Sequence, residues 1–294
     1  MNEENMSNRC KLIIVEGIPG SGKTSTARFI QGMLDEAQIP NELYLEGNLD
    51  HPADYEGVAW LPAQALEAYL QRNSLNRTLI DPYTWVDDED GFIAYRKLER
   101  DHREAVSPEV INFLSQHDVY EVPTADLYCR LALKRWKTFA EEAERNGKTY
   151  VFECCLIQNP LAVLMLHHNM SEAYALGHIR SVIHLLEGLN PTIVYFWQKD
   201  TRAAFDKITQ ERPKEWMDFV IAYTESGKWS KANGQSGYEG VVKFYDDRKQ
   251  SEMRLLHDLG DRTLLVENTD YDWARCRREI TKYIINTLSM SINS

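Results

Sequence analysis

The sequence predicts an α/β fold: a three-layer sandwich, with a parallel five-stranded sheet covered by helices on both faces and an inserted, mostly helical region. Three observations lead there. Short apolar runs alternate with helically spaced segments along most of the chain, which gives a parallel sheet with crossover helices. One such run, Leu12-Ile13-Ile14-Val15, is unbroken and rich in β-branched residues, as suits a strand buried on both faces. Directly after it, Gly17-Ile18-Pro19-Gly20-Ser21-Gly22-Lys23-Thr24 matches G-x-x-x-x-G-K-[ST] without a gap and leads into a helix.

Each element has its own justification. Ser25 to Glu36 carries apolar residues at helical spacing (Ala27, Ile30, Leu34), and Asn41 to Glu46 reads as a second strand. Between Asp50 and Pro123 the rhythm breaks. There Pro62 to Leu70 reads as a short helix. Thr84 to Val86 and Phe92 to Tyr95 flank a turn-rich, solvated hairpin tip, Asp87-Asp88-Glu89-Asp90-Gly91. Ser107-Pro108 starts another helix, to about Gln116. Regularity returns with Thr124 as the N-cap of a long amphipathic helix closed by Asn146-Gly147. Thr149 to Cys155 is a buried strand, and helical spacing follows from Leu161 to about Leu186, interrupted near Asn169-Met170-Ser171. Pro191 to Trp197 is the fourth strand, Thr201 to Glu211 a helix stopped by Pro213, and Lys214 to Ala222 a further helical stretch. Glu225 to Gly240, with four glycines, reads as a mobile loop. Val241 to Leu259 is helical, Thr263 to Val266 is the last strand and Trp273 to Leu288 the last helix. The whole reads as one domain, 1–294, with an insertion at 50–123 and a lid-like segment at 200–240.

Composition narrows the functions. The chain has 294 residues, 43% hydrophobic and 27% charged, an ordinary globular balance. Its formal net charge of −12 disfavours a nucleic-acid or anionic-membrane partner. The five cysteines (Cys10, Cys129, Cys154, Cys155, Cys276) fit no zinc spacing, and Cys154 and Cys155 read as small apolar residues of a buried strand, which points to a reducing compartment. Met1 to Arg9 has no apolar core of a signal peptide, and no run approaches the roughly 18 apolar residues that span a bilayer. A cytoplasmic protein is expected. His167, His168, His178 and His184 lack any accompanying metal-binding pattern. The acidic hairpin tip lacks the alternating ligands of a calcium loop.

The glycine-rich stretch carries the chemistry. Glycines let the backbone turn tightly, so that Gly17, Ile18, Pro19, Gly20, Ser21, Gly22, Lys23, Thr24 and Ser25 form a cradle whose successive N–H groups (Pro19 has none) face phosphates. Lys23 adds a mobile positive charge for the outer phosphates. The Thr24 hydroxyl suits the coordination shell of Mg²⁺, and the dipole of the following helix faces the same anion. By average residue frequencies the bare pattern arises about once per hundred chains of this length, and the flanking strand and helix make chance rarer still. A nucleoside triphosphate site, with ATP and Mg²⁺ as cofactors, is the expectation.

Strand, loop and helix, with Glu16 before Gly17, resemble the opening of the nucleoside and nucleotide kinases, the thymidylate-kinase-like branch of the P-loop NTPases. The resemblance is strong over Lys11 to Thr26, rests elsewhere on element order, and does not cover Asp50 to Pro123. It implies that a carboxylate after the second strand approaches the acceptor hydroxyl. Glu46 holds that place, with Asp50, His51 and Asp54 as alternatives. The family's third strand ends in an acid followed by Arg. Here Glu153 is kept as the magnesium-side acid, but Cys154 stands where Arg is expected, which leaves the cationic clamp unassigned. A lid after the fourth strand supplies such a clamp in the family, and Arg202 and Arg212 are the candidates. Arg130, with Arg135 beside it, lies on the long helix where the family often binds the acceptor.

Two functions are weighed. The first is an ATP-dependent small-molecule kinase that transfers the γ-phosphoryl group to a hydroxyl or phosphate acceptor, nucleoside- or nucleotide-like by resemblance. The second is a P-loop ATPase acting as a nucleotide-driven switch without a small acceptor. A GTPase version lacks the guanine-reading [NT]-K-x-D, and intact Lys23 and Thr24 argue against a degenerate binding protein. The expected partner is a small-molecule phosphoryl acceptor, and a homodimer stays open.

Overall fold

A computed structural model describes residues 10–73 and 76–288; Met1–Arg9, read above for a leader, lies outside them. Along the chain, β1 (Leu12–Gly17), α1 (Lys23–Glu36) and β2 (Asn41–Tyr44) come first. Next are β3 (Ala59–Pro62), α2 (Ala63–Arg72), β4 (Thr84–Asp87), β5 (Asp90–Ile93), α3 (Tyr95–Asp101) and α4 (Pro108–Ser115). The long α5 (Ala125–Asn146) leads to β6 (Thr149–Glu153), α6 (Glu172–Leu185) and β7 (Thr192–Trp197). Last come α7 (Thr201–Glu211), α8 (Lys214–Ser226), α9 (Lys228–Asn233), α10 (Gly237–Leu259), β8 (Thr263–Glu267) and α11 (Trp273–Leu288). The chain divides into two compact units, Met1–Glu46 with Leu133–Ser294, and Gly47–Ala132.

The larger unit holds a parallel five-stranded sheet in the order β2-β6-β1-β7-β8. Every residue of β1 is buried, because the central strand is covered on both faces. On one face Ile13 and Val15 pack with Ala27, Ile30 and Leu34 of α1 and with Cys276, Ile280 and Ile284 of α11. Ala27, Ile30 and Leu34 stand at i, i+3 and i+7, and Cys276, Ile280 and Ile284 at i, i+4 and i+8, so each helix turns one apolar stripe to that side of the sheet. A smaller cluster joins Phe205 of α7 to Met217 and Val220 of α8 and to Val241 and Val242 of α10.

The smaller unit has its own core, built from Leu61, Leu66, Leu70, Ile93, Leu98, Val110 and Leu114 among others. Its sheet is antiparallel, β3-β5-β4. The hairpin is where the alternation places it, but β3 is an addition, and the tip is only Asp88 and Glu89. Asp90 is no solvated tip residue. It is 2% exposed, accepts Trp60 Nε1–H at 2.8 Å, and takes two hydrogen bonds from Arg130, at 2.5 and 2.8 Å.

Other expectations also shift. Strand β6 ends at Glu153, and Cys154 turns the chain with φ 68°, so the two cysteines follow the strand instead of belonging to it. The helical stretch after it is broken at His168–Ser171, with Ser171 capping α6 through its hydroxyl. Glu225 to Gly240 is no open loop. Its glycines punctuate helices: Gly227 is the extended residue between α8 and α9, Gly234 the left-handed cap of α9, and Gly237 the start of α10. Among the described residues, no helix is long and apolar enough to cross a membrane.

Candidate functional site

The glycine-rich loop follows the carboxyl end of β1, where ligands of open parallel sheets gather. Gly17 has φ 141°, and a Cβ there would lie 2.6 Å from the Phe196 carbonyl oxygen of β7. Gly22 has φ 96°, and a Cβ there would lie 2.1 Å from the Trp273 ring. Both positions require glycine on conformation and on space. Helix α1 then begins at Lys23 with no side chain capping it and no acid in its first turn. Its free N–H groups and dipole remain for an anion.

Lys23 is 5% exposed and donates from Nζ to the Ile18 carbonyl at 3.0 Å. Burial works to lower its pKa, but Cys154, Glu46, Glu153 and Glu16 outweigh it, and the net shift is upward. The ammonium therefore stays charged within a buried site. Thr24 donates from Oγ1 to Glu153 Oε1 at 2.6 Å, and the Glu46 backbone N–H donates to Glu153 Oε2 at 3.3 Å. Glu46 lies past the end of β2, exposed, with both oxygens engaged. Oε1 accepts from Gln158 Nε2 at 2.9 Å, and Oε2 accepts from the Cys154 thiol at 3.4 Å.

Donor atoms of Glu46, Glu153 and Cys154 lie within 4.8 Å of one another. The Thr24 hydroxyl and the two carboxylates are hard oxygen donors, so the chemistry of the set fits Mg²⁺. The thiol, soft and with its proton on Glu46, adds nothing for such an ion.

Beneath this lies Glu16, fully buried in β1. Its carboxylate accepts the N–H groups of Leu156 and Ile157 on Oε1, at 3.0 and 2.8 Å, and of Gln158 on Oε2 at 3.2 Å. Burial raises its pKa to about 7, against the lowering effect of the Ile157 and Gln158 N–H groups. By those bonds Glu16 fixes the turn that presents Cys154 and Gln158 to Glu46.

A cavity of about 640 Å³ opens over the loop. Pro19, Gly20, Gly22, Lys23, Thr24 and Ser25 line it, with Glu46 and Glu153. Of the other loop residues, Ile18 and Ser21 are buried, and Gly17 sits at the strand end. Arg212 lines the cavity from the end of α7, its guanidinium carbon 5.6 Å from the Trp216 ring centre. Arg202 does not. It sits at the start of α7, facing a separate surface groove, and pairs with Glu239, Nη1 to Oε1 at 2.9 Å. Arg130 belongs to the smaller unit, where Asp90 engages its guanidinium. Arg202, paired with Glu239 outside the cavity, does not have the surroundings of a free phosphate clamp.

Sequence reasoning missed Gln158, the aromatic wall of Trp216, Phe219 and Tyr223 on α8, and Tyr245 and Arg248 on α10. One signal was there. Val241, Phe244, Arg248, Ser251 and Leu255 follow helical spacing, so a charged residue occupies the apolar stripe of α10, with Glu252 one turn on.

The sheet order, the loop after the central strand and the lysine–threonine–carboxylate cluster define a P-loop α/β fold of the kind the sequence resemblance anticipates. No protein-family profile and no curated protein matches the chain. Among solved structures it is similar to a thymidylate kinase from Candida albicans, with 12% identity over 97% of this chain and 96% of that one and a TM-score of 0.42. At that distance residue roles rest on the geometry above.

Proposed function

We propose that this protein is an ATP-dependent small-molecule kinase that transfers the γ-phosphoryl group to a hydroxyl or phosphate acceptor, nucleoside- or nucleotide-like in class. The observation that carries the reading is the convergence, in one cavity, of the phosphate cradle and lysine with an acceptor-side carboxylate, Glu46. Gln158 and Cys154 hold that carboxylate at the cavity wall. Loop N–H groups and Lys23 hold the outer phosphates and neutralise their charge. Thr24 and Glu153 would hold Mg²⁺, which when bound shields the phosphate oxygens. Glu46 accepts the proton of the attacking hydroxyl, with its two hydrogen bonds fixing its orientation. Arg212 is the lid cation in reach of the cavity. ATP over GTP, the acceptor class, a cytoplasmic setting and the roles of segments 50–123 and 200–240 belong to the same proposal.

The test is a mass-spectrometric transfer assay with MgATP and a panel of nucleosides, nucleoside monophosphates, sugars and aminoglycosides, with ADP followed in parallel. A gain of one phosphate on an acceptor is the expected result. ADP formed at equal rates with and without every acceptor would replace the kinase with the ATPase reading. Lys23→Ala should lower transfer by about 10³-fold in a variant shown to be folded by circular dichroism, a control needed because the lysine is buried beside Glu16, Glu46 and Glu153. Undiminished turnover in that variant would overturn the site.

A further inference from the structure

Arg248 is 1% exposed, yet it lines the cavity. Its Nε lies 2.8 Å from Glu252 Oε1, and its guanidinium carbon lies 4.5 Å from the centre of the Tyr245 ring. The Tyr195 hydroxyl donates to the other oxygen of Glu252. One edge and one face of the guanidinium are thereby fixed. Its Nε and Nη2 are buried and neither makes a hydrogen bond, the contact of Nε with Glu252 being an ion pair only. A buried charged donor left unmade is costly, and folds keep such groups where a ligand completes them.

We infer that Arg248 is the guanidinium clamp of the phosphoryl group in transfer: a binding and catalytic residue for the terminal phosphate of a nucleoside triphosphate. This rests on the kinase reading of the cavity. Three observations select it. The position after Glu153, where the resemblance calls for arginine, holds Cys154, so a cation must come from elsewhere. Arg202 is bound to Glu239 outside the cavity, and Arg212 is exposed and stacked on Trp216. Arg248 alone of these three arginines is both desolvated and held in plane. A guanidinium placed by the Glu252 ion pair and the Tyr245 ring keeps its charge at the cavity wall, where a short side-chain movement would bring Nη2 to a phosphate oxygen, and a charge held in a desolvated site stabilises a transition state strongly. No bond to Arg248 forms or breaks, since it only neutralises charge on the oxygens of the group in flight.

The experiment uses the full chain and measures, by calorimetry, the affinity for Mg²⁺ with ADP and with the β,γ-imido analogue of ATP, together with turnover. The variants are Arg248→Met/Glu252→Gln, which removes the ion pair as a unit and leaves an acceptor for Tyr195, and Arg248→Lys, which keeps the charge and loses the fork. The double variant should hold ADP within about threefold of wild type, lose about tenfold or more of its preference for the triphosphate, and turn over about 10²-fold more slowly. A folded double variant with the wild-type preference and rate overturns the inference and leaves the kinase reading standing. Should it not fold, Arg248→Lys decides: a loss of about tenfold or more in turnover at wild-type ADP affinity supports the clamp, and wild-type turnover overturns it. Wild-type protein that binds neither nucleotide overturns both readings.

Discussion

Replacing Glu16 with glutamine should leave stability nearly unchanged at pH 5 and raise it increasingly toward pH 8. The folded protein holds this carboxyl near 7 against 4.5 for the free side chain, chiefly through burial. At about 1.36 kcal/mol per pH unit, keeping it ionised costs the folded state on the order of 3 kcal/mol. A pKa raised by folding contributes stability that is fully present below 4.5 and is lost as pH rises through about 7. Glutamine never ionises, so it escapes that loss. It can keep its oxygen where Leu156 and Ile157 donate, but its amide meets the Gln158 N–H, and one lost bond costs about 1 kcal/mol. By pH 5 the wild type has already lost nearly 1 kcal/mol, so the variant should be about as stable as wild type at pH 5 and more stable by about 2 kcal/mol at pH 8. Asp118, raised to about 7, and His178, lowered to about 4, both by burial, also tilt the pH profile, but equally in both proteins. Urea denaturation of both proteins at four pH values from 5 to 8 measures the difference. Two parallel profiles would mean that Glu16 does not change charge on its own in this range, and the account of its burial would be refuted.

The structure also sets the outcome of two other substitutions. Gly22→Ala combines a left-handed backbone with a methyl group 2.1 Å from the Trp273 ring. Because Trp273 is 37% exposed and can swing, the expected loss is about 1–3 kcal/mol in urea, with weaker nucleotide binding by titration. Arg130→Met removes the charged donor of buried Asp90 and keeps its Trp60 indole donor. Since Arg130 is half exposed, the expected cost is about 1–2 kcal/mol in urea, with nucleotide affinity unchanged; a shifted acceptor KM at wild-type stability would restore Arg130 to the acceptor site.

What the sequence made legible is what chain neighbours decide. The run Leu12 to Val15 has no polar residue to place at a surface, and the loop after it recruits its own lysine, threonine and helix within eight residues. Such local chemistry reads directly. Strand β3 did not, because Ala59–Pro62 is four residues ending in proline and gains its identity only by pairing with β5. Asp90 looked like one acid among several in a turn, and only Arg130, forty positions on, explains its burial. The glycines between 225 and 240 misled by number. Gly227, Gly234 and Gly237 end or open helices while Gly240 lies in the first turn of α10, and the helices themselves come from apolar contacts such as Met217 and Val220 on Val241 and Val242.

The charges of the site follow the same division. The motif accounts for Lys23 and Thr24, whereas the rest of the cavity's charge is drawn from distant segments: Glu46, Glu153, Glu211, Arg212 and Arg248. Three cations and three carboxylates line it, so it is neither an anion hole nor an acidic metal cage. A lining of both signs suits a ligand that also carries both, a polyphosphate with a divalent cation, since each sign would otherwise face a desolvated mismatch. Glu16 beneath the floor tightens the argument. Its carboxylate accepts three backbone N–H groups against the cost of its burial, and those N–H groups belong to the turn carrying Cys154 and Gln158. The thiol in place of an arginine then removes a cation from that turn, and the balance of charge in the cavity is met from α10.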